Sequence, residues 1–389
     1  MHVFFYLGSA LAICTVPLSA FAQTEREIAV AIDRVKIPRS DKFELEIVAK
    51  NLHLPWSMAF LPKGGILVVE KHRGLKSIGT DQSKAYLVDG MPANVFTKED
   101  SGYLDIVLDP EFRQNKIIYM AFVEGVEAAN RTAIWKARFE EGRLKDGRVI
   151  FRTNVSKKGP SHPGGRLLFL PDKTLLLTVG DGFDLKDQAQ NMSSHLGKIL
   201  RLTREGKPAP GNPFLGNGKV ASEIWSSGHR NIQGLSRDSK SGEIWAHEHG
   251  PRGGDEINLI KPSANYGWPI VTHGIDYDGT IIAKEAFKDG IESAKFYWTP
   301  SIAPSGLTVY HGDRYSEWNG KFFVGALASR ALVRLRRGRK TGLMVEEERM
   351  FSSLRARIRD VRTGPDGYIY ILTDDKKGEL FRIVQKNSG

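Results

Sequence analysis

The chain of 389 residues contains a single cysteine, Cys14. Disulfides, thiolate metal sites and a cysteine nucleophile are therefore excluded from the rest of the molecule. Long apolar runs are also missing: none approaches the roughly 20 residues that span a bilayer. The nearest is Val3 to Ala12, inside a stretch from Met1 to Ala22 that holds no Lys, Arg, Asp or Glu. Ala20-Phe21-Ala22 before Gln23 has the form of an A-x-A cleavage site. We read residues 1–22 as a signal peptide cut after Ala22, with a periplasmic or secreted mature chain and no membrane span left after cleavage. A cysteine-free mature chain suits an oxidising compartment. No strongly periodic helix of twelve or more residues stands out, which disfavours parallel α/β folds, whose crossovers need helices. There is no G-x-S-x-G elbow, no P-loop, no G-x-G-x-x-G after a strand and no H-E-x-x-H, so serine-hydrolase, nucleotide-dependent and zincin chemistry lack support.

What the chain does have is turns and short β-rich runs. It carries 40 glycines and 18 prolines, with 41% hydrophobic and 26% charged residues, enough for a sizeable core. A turn built from Pro, Asp, Gly or Lys, followed by an alternating β-rich run, recurs along the chain. It opens at Leu61-Pro62, Asp109-Pro110, Leu170-Pro171, Asp238, Trp318-Asn319 and Gly364-Pro365. Repeated β-units with uneven insertions predict an all-β fold, a six-bladed β-propeller with four-stranded antiparallel blades of about 60 residues each. Residues 23–389 would form one propeller domain, with an ordered core over 40–386. An irregular pair of β-sandwiches is the competing architecture. In a propeller, loops from distant blades meet at one mouth of the channel, so residues far apart in sequence can share a pocket.

The net charge is +11. A basic balance suits nucleic acid, an anionic surface or an anionic ligand, and export argues against nucleic acid. The cluster R-L-R-R-G-R-K from Arg334 to Lys340 reads as a solvated hairpin. The densest chemistry lies between Glu223 and Asp278, where G-H-R-N-I-Q-G-L leads to H-E-H-G-P-R-G-G-D-E-I-N-L-I and N-Y-G-W-P. Glycine and proline set loops here, and imidazole and charged groups sit on them. His162 starts a Gly-rich segment, and Asp181 follows nineteen residues later in G-D-G, so the two are either a base with its orienting carboxylate or a hydrogen-bonded structural histidine and a turn aspartate. Arg230 reads as an anion-binding fork or as an arginine packed beneath a loop and paired with Glu223 or Asp255. Asp255-Glu256 after Gly250-Pro251 suggests a hard cation such as Ca²⁺. His229, His247 and His249 could suggest zinc, but H-x-H without a third fixed ligand is common on strands. Arg357 and Arg359 alternate on one strand and share a face, as an anion site or a solvated outer face.

Taken together, L-P-W-S-M-A-F-L-P (54–62), L-D-I-V-L-D-P-E-F (104–112), H-P-G-G-R-L (162–167), S-S-H-L-G-K-I-L-R-L (193–202), the Glu223–Asp278 region, A-P-S-G-L (303–307) and R-I-R-D-V (357–361) resemble the soluble quinoprotein sugar dehydrogenases. This is the glucose/sorbosone dehydrogenase family, and the periplasmic aldose sugar dehydrogenases are the nearest branch. The resemblance implies a six-bladed propeller that holds pyrroloquinoline quinone (PQQ) and Ca²⁺ and oxidises aldoses at the anomeric carbon for a soluble electron acceptor, as a monomer or homodimer. By resemblance His162 is the catalytic base, Asp181 orients it and Arg230 lies near the quinone oxygens. Asn231, His249, Ser301, Arg357 and Arg359 fall in the cofactor shell. The carbonyls of Gly250 and Pro251 match the cofactor's Ca²⁺ site, and Glu256 with the Tyr266 carbonyl matches a second, structural one. This chain departs from the family pattern twice. Asp100 stands where a glutamine near the quinone is expected, and Ala328 where many members have lysine, with Arg330 close enough to substitute. These departures leave open a non-redox, calcium-bound binding propeller that has lost the cofactor. A Ca²⁺-dependent lactonase-type hydrolase is a third reading.

Overall fold

Each of the six repeated turns joins the first strand of a four-stranded antiparallel sheet to its second. A computed structural model describes residues 42–80 and 85–386, and the segment read as a signal peptide lies outside them. The turn at 61–65 joins strand Pro55–Phe60 to Ile66–Glu70. The other turns join Tyr103–Leu108 to Ile117–Val126, Leu167–Phe169 to Leu175–Val179 and Ile232–Arg237 to Ile244–Glu248. The last two join Pro304–Val309 to Phe322–Ala326 and Ile358–Thr363 to Ile369–Thr373. The six sheets are the blades of a six-bladed β-propeller. Blades one to five are continuous in sequence, whereas blade six borrows its outer strand from the other end of the chain. There Phe43–Leu52 pairs antiparallel with Gly378–Gln385, from Phe43 opposite Gln385 to Leu52 opposite Gly378. This latch closes the ring and removes the open edge that a linear array of sheets would present.

The sequence pattern suggests alternating strands, but the second strand of most blades is dry on both faces. Ile66–Glu70, Leu175–Val179, Phe322–Ala326 and Ile369–Thr373 are buried at every position. The reason is the stacking of blades, since each sheet is covered by a neighbour on either side and both faces must be apolar. The cores accordingly lie between blades. Leu67, Val69 and Leu75 of blade one pack with Ile106, Ile118 and Met120 of blade two, and Tyr310 and Phe323 of blade five pack with Ile369 and Phe381 of blade six. Arg334 to Lys340 does form a hairpin strand, where Arg334 and Arg336 pair with Glu347.

The first strands of the blades surround the axis, and a buried ionic network ties them together. Arg166 donates to Asp360 (2.8 Å), to the Gln233 carbonyl (2.8 Å) and to the Arg359 carbonyl (3.2 Å), and its guanidinium lies 4.0 Å from the Trp56 ring centroid. Arg362 donates to Asp105 and to Asp360. The same two carboxylates accept the backbone amides of Leu167 and Met58. Blades one, two, three, four and six thus share one charge-balanced knot, with Trp56 and Gln233 passing from it into the wall of the cavity described next.

Candidate active site

A simple positional rule places the site. Most of its residues stand just before a blade's first strand, early in that strand, or just after the second strand, on the face opposite the six repeat turns, while Tyr277 comes from the loop between the third and fourth strands of blade four. Asp100, His162, Asn231, Ala303, Arg357 and Arg359 come from the first-strand positions, and Lys71, His249 and Leu327 follow second strands. They line a cavity of about 190 Å³. Side by side with it runs a groove of about 660 Å³, bordered by Gly250, Pro251, Ser301 and Ala328, and the two share His249, Tyr277 and Ala303.

His162 and Asp181 meet. The His162 backbone is left-handed at φ 52°, and its Nδ1 lies 2.7 Å from Asp181 Oδ1. Asp181 also accepts the Phe183 amide (2.8 Å) and the Trp268 indole Nε1–H (2.7 Å), and its own amide donates to the Arg230 carbonyl. A carboxylate held this way accepts the Nδ1 hydrogen and leaves Nε2 as the basic nitrogen. Burial pushes the His162 imidazole below its ordinary pKa, the Asp181 hydrogen bond opposes this, and the Arg230 charge lowers it again. The net result is a neutral imidazole, which is the form a general base requires. Exposed aromatic rings border this point. Phe183 lies edge-on to His162 at 5.0 Å and stacks with Tyr277 at 6.3 Å.

Arg230 shares this end of the propeller but turns toward the groove. Its Nη1 donates to the carbonyls of His249 (3.1 Å) and Gly250 (2.8 Å), its Nη2 to the Tyr277 hydroxyl (3.2 Å), and it packs over Trp268. Pairing with Glu223 or Asp255 does not occur: Glu223 bonds His195, and Asp255 accepts Gly250 N, Ser301 Oγ, Ile302 N and Ala303 N. The Asp255 carboxylate is thus the clamp of the 250 and 301–303 loops rather than a cation ligand, because its acceptor sites are filled by the chain itself. Ser301 borders the groove with its hydroxyl already given to Asp255. Asn231 lines the cavity and accepts the Gly164 and Gln233 donors.

The three histidines of the central motif serve separate partners. His229 contacts Ser226 and Glu248, His247 contacts the Gly306 carbonyl, and His249 contacts the Pro304 carbonyl. They are no shared zinc site. Glu256 and Tyr266 border neither cavity nor groove. Glu256 faces Glu248 across adjacent strands, with Asn258 reaching both at 3.3 Å. Burial, then the Glu248 charge, lifts the Glu256 carboxyl to about 8. Among the described residues no cluster of three or more His, Cys, Asp or Glu forms a ready metal cage.

Arg357 and Arg359 converge, although Arg357 sits just ahead of the strand that carries Arg359. Both bind Asp374 Oδ2, at 3.1 and 2.8 Å. Burial alone would raise Asp374, but Arg359, Lys71 and Arg357 hold its carboxyl far below the usual range. Arg330 does not substitute at Ala328: its guanidinium is exposed, its Nη1 lies 3.4 Å from the Arg355 carbonyl, and it borders neither space. Sequence reasoning missed Lys71, Asp374, Gln233, Trp56 and Trp268. Lys71 and Asp374 had a usable signal, because each follows a second strand, in E-K and T-D-D, where G-D and E-H-G stand in blades three and four.

The site is cationic overall. Lys71, Arg357 and Arg359 outnumber Asp100 and Asp374, with Arg230 alongside, and a neutral base faces the cavity. It can bind a polycarboxylate and accept a proton. A family model for glucose/sorbosone dehydrogenase matches residues 52–382. An uncharacterized protein of Synechocystis, slr1608, is 38% identical over 97% of this chain and 96% of its own length. Aldose sugar dehydrogenase YliI of Escherichia coli is 36% identical over 88% of this chain and 93% of its own. The PQQ-bound form of aldose sugar dehydrogenase from Streptomyces coelicolor superposes with a TM-score of 0.73 at 27% identity, covering 89% of this chain and 99% of that one. A propeller with this mouth, matched over nearly all its described length, belongs to the glucose/sorbosone dehydrogenase family of soluble quinoprotein sugar dehydrogenases.

Proposed function

We propose that this protein is a PQQ- and Ca²⁺-dependent aldose dehydrogenase, exported to the periplasm or secreted, that oxidises the anomeric carbon of sugars to lactones and passes electrons to a soluble acceptor. The observation that carries the reading is the His162–Asp181 pair at 2.7 Å, opening onto a cavity walled by two guanidiniums and an ammonium. The residues present fit the cofactor. Its three carboxylates need cations, and the cavity has them, including a buried Arg359 Nε–H with no hydrogen-bond partner. Asp100 does not leave the wall anionic, because Lys71 and Lys157 both lie within its field.

When bound, PQQ supplies the two-electron acceptor for the sugar's C1 hydride. His162 Nε2 would take the proton of the anomeric hydroxyl, while Asp181 fixes the ring and stabilises the imidazolium that forms. Arg230, freed from the Gly250 carbonyl, would bring positive charge to the developing negative charge. The carbonyls of Gly250 and Pro251 would then hold Ca²⁺ beside the cofactor, and the crowded Glu248–Glu256 pair supports a second Ca²⁺ with the Tyr266 carbonyl. Phe183 and Tyr277 offer aromatic faces on which the C–H face of a pyranose can lie. Among the described residues no helix is long and apolar enough to cross a membrane.

The test is reconstitution of purified apoprotein with PQQ and CaCl₂, followed by dye reduction with a panel of aldoses. Wild type should reduce the dye, and His162→Ala should bind PQQ without turnover. Full activity in that variant would remove the assigned base. Ring opening of a sugar lactone without dye reduction would favour the hydrolase reading.

A further inference from the structure

Lys71 follows the second strand of blade one and borders the central cavity. Its side chain is almost wholly buried, at 6% exposure. Among the described residues its ammonium makes neither an ion pair nor a hydrogen bond, whereas the neighbouring Arg357 and Arg359 both close on Asp374. Asp374 Oδ2 is thereby already shared by two guanidiniums, and its Oδ1 is buried with no partner. Burial and the adjacent Arg359 charge both disfavour the charged form of Lys71, and Asp374 and Asp100 favour it. The residue is buried along its length but its Nζ is not among the enclosed unsatisfied atoms, so the ammonium opens onto the cavity with no protein partner, where an anion can complete it. Blade five provides no such cation, since Leu327 and Ala328 form its wall and Arg330 points elsewhere.

We propose that Lys71 is a cofactor-anchoring residue, whose ammonium binds a carboxylate of the polyanionic ligand from blade one, alongside Arg357 and Arg359. The inference rests on the PQQ reading of the cavity. It also accounts for how a site with Asp100 and Ala328 keeps its hold: the cation comes from a different blade. The same feature predicts opposite signs for binding and stability. Removing an unpaired, partly desolvated ammonium relieves the free protein and weakens the complex.

The experiment is calorimetric titration of PQQ, with calcium present, into wild type, Lys71→Met and Lys71→Arg, with thermal melts of each apoprotein. Lys71→Met should bind PQQ at least about tenfold more weakly, as expected for one lost charge-assisted contact. Its apoprotein should melt at or above the wild-type temperature. Lys71→Arg should recover part of the affinity. Wild-type affinity in Lys71→Met overturns the assignment, as does a lowered melting temperature with affinity intact, which would make Lys71 structural. Failure of wild type itself to bind PQQ would instead overturn the cofactor reading, and this inference with it.

Discussion

Replacing Asp181 by Asn keeps the side chain's shape and alters only what it can offer. The native carboxylate accepts three hydrogens: His162 Nδ1 and Phe183 N on Oδ1, and Trp268 Nε1 on Oδ2. An amide has one oxygen. If that oxygen faces Trp268, its NH₂ opposes the Phe183 amide and donates to His162 Nδ1, forcing the imidazole hydrogen onto Nε2. The base is then lost. If the oxygen faces His162, the NH₂ meets the Trp268 N–H and leaves two buried donors facing each other. That arrangement costs about 1–3 kcal/mol of stability. It also leaves the imidazolium without its counter-charge. Both routes remove most of what a general base contributes, about 10²- to 10⁴-fold in kcat, or roughly 3–5 kcal/mol of barrier. Asp181 does not border the cavity, so PQQ affinity should hold. The assay is dye reduction by reconstituted enzyme across pH, with PQQ binding measured separately. Because His162 is already held below 6.5, wild-type kcat/KM should rise with pH through a point under 6.5 and then stay level. Loss of the Asp181 charge, which raises that pKa, should move any residual limb further to acid. Retention of kcat within about threefold would refute the pairing argument.

Three further outcomes are expected. Arg166→Met leaves Asp105 and Asp360 short of a cation at the centre of the ring, so urea unfolding should show about 3–5 kcal/mol less stability; a loss under about 1 kcal/mol would contradict the role given to the knot. Tyr277→Ala and Phe183→Ala should raise KM for sugars about tenfold while PQQ affinity in Phe183→Ala stays at the wild-type value; unchanged KM in both would remove the aromatic platform. Glu256 binds its proton more tightly folded than unfolded, with its value moved from 4.5 to about 8. Stability in EDTA should therefore fall as pH rises through that window. Calcium should flatten the fall, and so should Glu256→Gln; an identical pH profile in Glu256→Gln would contradict the crowding of the carboxylate pair.

The ring of blades was legible because the repeated turns mark one fixed place in each blade, and the chain has no helical period to compete with them. The latch of Phe43–Leu52 onto Gly378–Gln385 was not, since strand exchange between chain ends leaves no local pattern. The spacing of His162 and Asp181 across a single hairpin left a base with its carboxylate and a structural histidine with a turn aspartate both open, and the family resemblance favoured the former. Lys71 carried only its place after a second strand, since an E-K step there resembles a solvated strand end, and only the ring brings it against Arg359. Asp255 misled for a related reason: a carboxylate beside Gly-Pro suits a cation, yet four donors from its own chain reach it first. Arg230 was placed at the right mouth, but its contact with the Gly250 carbonyl depends on a rotamer that no sequence pattern encodes.

The most direct measurement is calorimetric titration of PQQ into the wild-type apoprotein in the presence and absence of Ca²⁺. A single site of micromolar affinity or tighter, strengthened by calcium and weakened by salt, is the predicted result. No saturable heat at high micromolar PQQ with calcium present would contradict the claim that these cations and the imidazole of His162 are gathered for a tricarboxylate redox partner.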